Sequence, residues 1–188
     1  MCLRLFPNAR VLMIEPQERS REVLQKMVSA DARLQFSPVL VGQAVRSAVP
    51  FYEDDTASSI FPESEKWARA TASIPMTTID EVTVGTDFAT AQFLKLDVQG
   101  AELWVLEGAT RTLRSTEVVL MEVNLLEIYY GVPLFHQAVA FMADRGFRVY
   151  DICSFIRRPL DNALWQADVI FVNATSPLLR SKSWHGHA

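Results

Sequence analysis

The sequence has few cysteines, no long apolar run and no excess of positive charge. Its two cysteines, Cys2 and Cys153, are too few for a disulfide framework, which is typical of a reducing compartment. The apolar runs fall far short of the roughly 20 residues that a membrane helix needs. With 18 Lys and Arg against 22 Asp and Glu, the net charge is −4, so the composition does not indicate a surface for nucleic acid or anionic lipid. These features predict a cytoplasmic protein with neither nucleic acid nor a membrane as partner.

Several motifs of common enzyme classes are also missing. The seven glycines form neither a Gly-x-Gly-x-x-Gly loop nor a Walker loop, and the nucleophile elbow Gly-x-Ser-x-Gly does not occur. The two cysteines and three histidines show no metal-ligand spacing. We therefore predict no metal, and we interpret the acidic run at residues 53–55 as a solvated loop.

The pattern that is present is typical of an α/β protein of one domain. The chain has 188 residues, of which 49% are hydrophobic, as in an ordinary globular domain. Short apolar runs alternate with stretches of helical period, which predicts a mostly parallel sheet flanked by helices. We expect one domain over residues 1–175 and a frayed tail over residues 176–188. The predicted strands are 11–15, 38–42, 93–98, 118–124, 147–152 and 168–172; the main predicted helices follow Pro16, Gly100 and Leu134.

One segment does not fit this alternation. Residues 50–73 are too polar for core and too long for an ordinary connection, and such segments often carry function. We interpret them as an irregular or hairpin insertion.

Polar residues interrupt three of the predicted strands at the same end. Glu15 ends the first, Asp97 lies near the end of FLKLDV, and Glu122 and Asn124 close VVLMEVN. Ligands of open parallel sheets bind outside the carboxyl ends of the strands, and an unpaired charge is costly to bury. Together these positions predict a shared ligand cleft; the alternative is that each strand end simply emerges into solvent.

Two further charged residues have structural as well as functional interpretations. Lys95 and Asp97 are two residues apart, so both project from one face of their strand. They form either a structural ion pair or part of the cleft. Glu102 falls in the first turn of a predicted helix, where the helix dipole alone favours a carboxylate.

The order of these pieces resembles the FkbM family of S-adenosyl-L-methionine-dependent methyltransferases. The resemblance covers roughly residues 6 to 173, and its densest block runs from Lys95 to Glu102, followed by Leu106-Glu107-Gly108-Ala109. The matching stretches are RVLMIEPQ, IPMTTIDEV, FLKLDVQGAELWVLEGA, EVVLMEVNLLEIYYG, FMADRGFRVYDI and ADVIFVN.

The resemblance implies a class I methyltransferase (Rossmann-like) fold with S-adenosyl-L-methionine at the carboxyl edge of the sheet. Glu15 matches the residue that binds the ribose of the cofactor, and Asp97 lies next to the methyl donor. The acceptor is then a small molecule with a hydroxyl group, such as a sugar or a secondary metabolite. Asp97 or Glu122 would be the catalytic base, and we assign Lys95 and Asn124 to substrate binding.

One feature departs from the family pattern. The family's first strand and its glycine turn should precede Arg10, but only a short segment that resembles the end of a helix lies there. We therefore expect a fragment or a shortened relative that binds S-adenosyl-L-methionine weakly or not at all and tends to self-associate, for example as a homodimer. The alternative function is a non-catalytic relative that acts as a protein-interaction scaffold.

Overall fold

A computed structural model describes residues 2–53, 58–62, 72–127, 129–183 and 185. The strands in these residues are β1 (Val11–Ile14), β2 (Leu34–Ser37), β3 (Leu40–Val41), β4 (Arg46–Phe51), β5 (Ala72–Thr77), β6 (Phe93–Leu96), β7 (Val118–Asn124), β8 (Phe147–Arg157) and β9 (Leu164–Asn173). The α-helices are α1 (Cys2–Leu5), α2 (Glu18–Ala30), α3 (Ile79–Thr83), α4 (Glu102–Glu107), α5 (Thr110–Leu113) and α6 (Phe135–Asp144).

The α/β class is confirmed, but the sheets are mixed rather than mostly parallel. The described strands form sheets of order β1-β2, β3-β5-β4 and β6-β7-β9-β8. The pairs β1–β2, β3–β5 and β6–β7 are parallel, whereas β4–β5, β7–β9 and β8–β9 are antiparallel. A short loop joins β8 to β9, and such a connection can only produce an antiparallel pair. Apolar runs predicted the strands without indicating their direction.

The predicted insertion at residues 50–73 has a hairpin at its base. β4 and β5 pair antiparallel, with Phe51 opposite Ala72, and an antiparallel bridge joins Tyr52 to Ser59. Most of the remaining insertion lies outside the described residues. The hairpin is therefore present where the two ends of the segment pair as β4 and β5.

The main core lies between the four-stranded sheet and the helices α4, α5 and α6. The side chains of Leu106, Met121, Met142 and Phe171 are completely buried there. Along β7 the side chains alternate between one fully buried face and one partly exposed face. This alternation places Glu122 on the partly exposed face, with Met121 and Val123 on the core face.

The predicted helix after Pro16 is present as α2, but its apolar stripe is only partly covered. Val23 and Met27 are 61% and 44% exposed, whereas Leu24 and Val28 are half-buried. Among the described residues, α2 packs mainly against β2 of the two-stranded sheet. That sheet is too narrow to cover the whole stripe. None of the helices in the described part of the chain is both long enough and apolar enough to cross a bilayer.

The Thr-Ile-Asp and Leu-Glu-Gly-Ala sequences hold the helices α3, α4 and α5 together. The Thr78 hydroxyl accepts a hydrogen bond from the Glu81 amide and caps α3. The predicted single helix after Gly100 divides into α4 and α5 at Gly108. A Cβ at Gly108 would overlap the carbonyl oxygen of Gly42, so this close approach to the end of β3 requires glycine.

The segment after β9 begins as ordered structure. A 3₁₀ helix spans Pro177–Leu179, and the Ser176 hydroxyl donates to a Glu117 carboxylate oxygen over 2.7 Å. Ser176 itself is buried. The first residues of the predicted frayed tail are thus tied to the start of β7.

We predict that Asp80→Ala destabilises the fold by removing the cap of α5. Asp80 accepts hydrogen bonds from the Arg111 amide at 2.7 Å and from the Thr112 amide and hydroxyl at 2.9 and 2.8 Å. Burial alone would raise the pKa of Asp80, but these hydrogen bonds outweigh it and lower the pKa. Loss of such a cap costs about 0.5–2 kcal/mol. Urea denaturation at pH 7 measures the loss, with the exposed Glu81→Ala as control; equal stability of the two variants would contradict the role of Asp80.

Candidate functional site

Four polar side chains form a row across the carboxyl end of β6 and its neighbours. Asp97 directly follows β6, and the parallel register of β6 and β7 places it beside Glu122. Glu122 pairs with Asp168 of β9, and Asp168 pairs with Ser154 of β8. The Ser154 hydroxyl donates to Asp168 Oδ2 over 2.6 Å. Because paired residues project from the same face of a sheet, the four side chains share one surface.

The Gln99 side chain joins the two predicted catalytic carboxylates. Its Nε2 donates to Asp97 Oδ1 over 3.0 Å and to Glu122 Oε1 over 3.4 Å. The Tyr129 hydroxyl donates to Gln99 Oε1 over 2.9 Å, which determines that the amino end of the amide faces the carboxylates. The structure thus brings Asp97 and Glu122 together on one face.

The backbone of Gln99 is strained and is held by a distant contact. Its φ is 51°, in the left-handed region that non-glycine residues rarely adopt, and Gly100 follows with a φ of 95°. The Ser59 hydroxyl donates to the Gln99 carbonyl over 2.7 Å. Strain of this kind persists only where surrounding contacts enforce it, and it concentrates at functional sites.

Glu102 stabilises the same loop through hydrogen bonds to its backbone. Its side chain is 5% exposed, and its Oε1 accepts hydrogen bonds from the amides of Val98 at 3.0 Å and Gly100 at 3.4 Å. Burial raises the pKa of Glu102 to about 7, although these amide bonds act in the opposite direction. Glu102 therefore binds the backbone just before its own helix.

Glu122 is a carboxylate with one oxygen held and one oxygen open. Its Oε1 accepts from Gln166 Nε2 over 2.6 Å and from Gln99. No hydrogen bond from the described residues reaches Oε2. Burial, followed by the nearby charges of Asp97, Glu102 and Asp168, raises the pKa of Glu122 to about 7, and Lys95 opposes this increase.

A small cleft of about 10 Å³, enough space for roughly one water molecule, lies beside Glu122. Asn124 lines it and is buried, with its Oδ1 accepting from Gln166 Nε2 over 3.2 Å. The complete lining is Gly100, Glu102, Leu103, Met121, Glu122, Val123, Asn124, Pro133 and Ala138. The lining combines apolar side chains with a few convergent polar groups, and the space admits one small group, such as a hydroxyl, of a larger molecule.

Lys95 forms an ion pair with Asp97, which is one of the two alternatives that the sequence allowed. Its Nζ donates to Asp97 Oδ2 over 2.9 Å, and the two side chains are 52% and 53% exposed. Such an exposed pair contributes about 0–1 kcal/mol to stability. Both oxygens of Asp97 are therefore engaged, one by Lys95 and one by Gln99.

Glu15 lies directly after β1, which belongs to the two-stranded sheet. Its Oε1 accepts from the Gln17 amide over 2.8 Å, and no hydrogen bond from the described residues reaches its second oxygen. Within the described ranges, no hydrogen bond or ion pair joins Glu15 to Asp97 or Glu122. The preceding Ile14 packs against the main core.

Sequence reasoning missed Gln99, Gln166, Tyr129 and Asp168. Gln99 had a usable signal, since it stands two residues after Asp97 in the loop. Gln166 and Asp168 had no signal in the sequence, because their closeness to Glu122 results from the antiparallel register of β7 and β9. Despite the row of carboxylates, no group of His, Cys, Asp and Glu within the described ranges is placed to hold a metal ion.

A family model matches most of the chain. The family described as a methyltransferase FkbM domain matches residues 2–149. A crystal structure of methyltransferase FkbM from Methylobacillus flagellatus KT is similar in fold, with a TM-score of 0.54 and 16% identity. The match covers 90% of this chain and 39% of that chain, so this chain spans well under half of its structural relative. No curated protein sequence matches significantly.

We predict that Glu102→Gln makes the protein progressively more stable than the wild type as the pH rises from 5 to 8. The pKa of Glu102 is 4.5 in the unfolded chain and about 7 in the folded protein. Between these two values the unfolded chain loses a proton that the folded protein keeps, so the unfolding free energy of the wild type falls as the pH rises. The amide variant has no such penalty. The difference in unfolding free energy should grow by about 2–3 kcal/mol over this range. Urea titrations at four pH values measure it; the exposed Glu107→Gln is the control, and a pH-independent difference for Glu102→Gln would contradict the assignment.

Proposed function

We propose, since this chain belongs to the FkbM methyltransferase family, that it transfers the methyl group of S-adenosyl-L-methionine to a hydroxyl oxygen of a small molecule. A sugar or a secondary metabolite is the proposed acceptor class. The observation that carries the choice of a hydroxyl acceptor is Glu122, a carboxylate beside the cleft with an open oxygen and a pKa near 7. A hydroxyl acceptor needs a base within reach, and a base works best with a pKa near the working pH.

The residues at the carboxyl ends of the strands fit the proposed cofactor. Glu15 has an oxygen that accepts no hydrogen bond from the described residues, and a ribose diol offers two donors. Asp97 follows β6 and adds negative charge that suits a sulfonium cation. When bound, the cofactor supplies an already activated methyl group, so the protein needs mainly to align the acceptor and to exclude water.

Glu122 is a better base than Asp97. Both oxygens of Asp97 already accept hydrogen bonds, and its side chain is 53% exposed. Glu122 is more buried and keeps Oε2 open, so Oε2 can take the proton of an acceptor hydroxyl in the cleft. The proton then remains on Glu122, whose raised pKa makes the protonated form accessible near neutral pH.

Asn124 and Lys95 would act on the acceptor in different ways. Asn124 is buried and lines the cleft, where its carboxamide can orient a hydroxyl group. Lys95 is half exposed on the face that carries Asp97, so it would contact only a part of the acceptor outside the cleft.

We predict that Glu15→Ala weakens binding of S-adenosyl-L-methionine by roughly 10- to 150-fold. A hydrogen bond between a carboxylate and a ribose hydroxyl contributes about 1.5–3 kcal/mol. Isothermal titration calorimetry on a binding-competent form of the protein measures the change. Glu18→Ala, which alters an exposed glutamate three residues further on, is the matched control. Equal affinities of Glu15→Ala and the wild type would refute the ribose assignment.

We predict that Glu122→Gln reduces kcat by about 10²- to 10⁴-fold, because the variant retains the shape of the side chain without its basicity. The acceptor is first identified by incubating the chain with methyl-labelled S-adenosyl-L-methionine and a panel of monosaccharides, polyols and hydroxylated polyketides. Glu81→Gln, which lies outside the site, should retain full activity. Wild-type kcat in Glu122→Gln would exclude Glu122 as the base. Absence of labelled product across the panel, together with no cofactor binding, would favour the scaffold alternative.

A further inference from the structure

We propose that Gln166 is a positioning residue that holds Glu122 in the orientation of a general base, an inference that rests on the proposed function. Gln166 lies on β9 directly opposite Asn124 of β7 and is 8% exposed. Its Nε2 lies 2.6 Å from Glu122 Oε1 and 3.2 Å from Asn124 Oδ1. One buried carboxamide thus connects the base with a side chain that lines the cleft.

The two oxygens of Glu122 have different surroundings. Gln166 and Gln99 both donate to Oε1, at 2.6 and 3.4 Å, and no described residue donates to Oε2. Because Oε1 is held by these two donors, rotation of the carboxylate is restricted. Oε2 then remains the oxygen that can accept a proton. Gln166 makes the shorter contact and belongs to a strand, so it is the main orienting group.

The same hydrogen bond keeps Glu122 available as a base. The charged groups that face Glu122 among the described residues are Asp97 after β6, Glu102 of α4, Asp168 of β9 and Lys95 of β6. Three of these four are acidic, so they favour protonation of Glu122. An N–H donor favours the ionised form, and Gln166 therefore opposes the acidic neighbours. Without it, Glu122 would hold a proton at neutral pH and could not accept one.

The test is a titration of the Glu122 carboxyl group by ¹³C NMR, without cofactor or acceptor. Spectra of the chain labelled at glutamate side-chain carboxyls are recorded from pH 4 to 9, and Glu122→Gln identifies the resonance. Gln166→Met retains the side-chain length but donates no hydrogen bond. We expect its Glu122 midpoint to rise by about 1–2 pH units. Gln35→Met, at an exposed glutamine on β2, should leave the midpoint unchanged.

A second variant covers the case in which Gln166→Met does not fold. Gln166→Glu has nearly the same shape and places a further carboxyl beside Glu122, so one proton shared by the pair should titrate above the wild-type midpoint. An unchanged midpoint in a folded Gln166→Met or Gln166→Glu protein would overturn the role of Gln166. This result is separate from the proposed function, because full activity of Glu122→Gln would exclude the base whatever the titration shows.

Discussion

The left-handed backbone of Gln99 is the constraint on which the rest of the site depends. This residue lies between Asp97 and Gly100 in the loop that follows β6, with a φ of 51°, and its side-chain amide donates to Asp97 and Glu122. Contacts from sequence-distant residues enforce the conformation, since the Ser59 and Tyr129 hydroxyls bind its carbonyl and its amide oxygen. The Glu102 carboxyl binds the amides on either side. The loop therefore holds the Gln99 amide against Asp97 and Glu122, which the register of β6 and β7 places side by side.

A concentration of negative charge follows from this geometry. Burial, together with the nearby charge of Asp97, raises the pKa of both Glu102 and Glu122 to about 7. The two groups nevertheless differ in what they can do. Glu102 is buried and bound to backbone amides, so it stabilises the loop, whereas Glu122 lies at the cleft with one oxygen open. Groups with perturbed pKa values in a cleft are candidates for proton transfer, and only Glu122 also has the access that this role needs.

Much of the fold and part of the site could be predicted from the sequence. The bounds of β7 are those predicted, and Glu15 and Asp97 lie directly after β1 and β6. These features depend on local hydrophobic patterns. The antiparallel direction of β9 could not be predicted in this way, because an apolar run is compatible with either direction, and Gln166 was missed for that reason. The exposure of Val23 could not be predicted either, because the helical spacing of apolar residues does not show which elements pack against α2.

The proposed function requires one edge of the sheets to hold both the cofactor and the base that accepts the proton. A crystal structure of the chain with S-adenosylhomocysteine, the product form of the proposed cofactor, tests it most directly. We expect the ribose hydroxyls to lie within hydrogen-bond distance of Glu15 and the sulfur to face Asp97 and Glu122 across the mouth of the cleft. A nucleoside bound away from the carboxyl ends of β1 and β6, with neither carboxylate in contact, would contradict it.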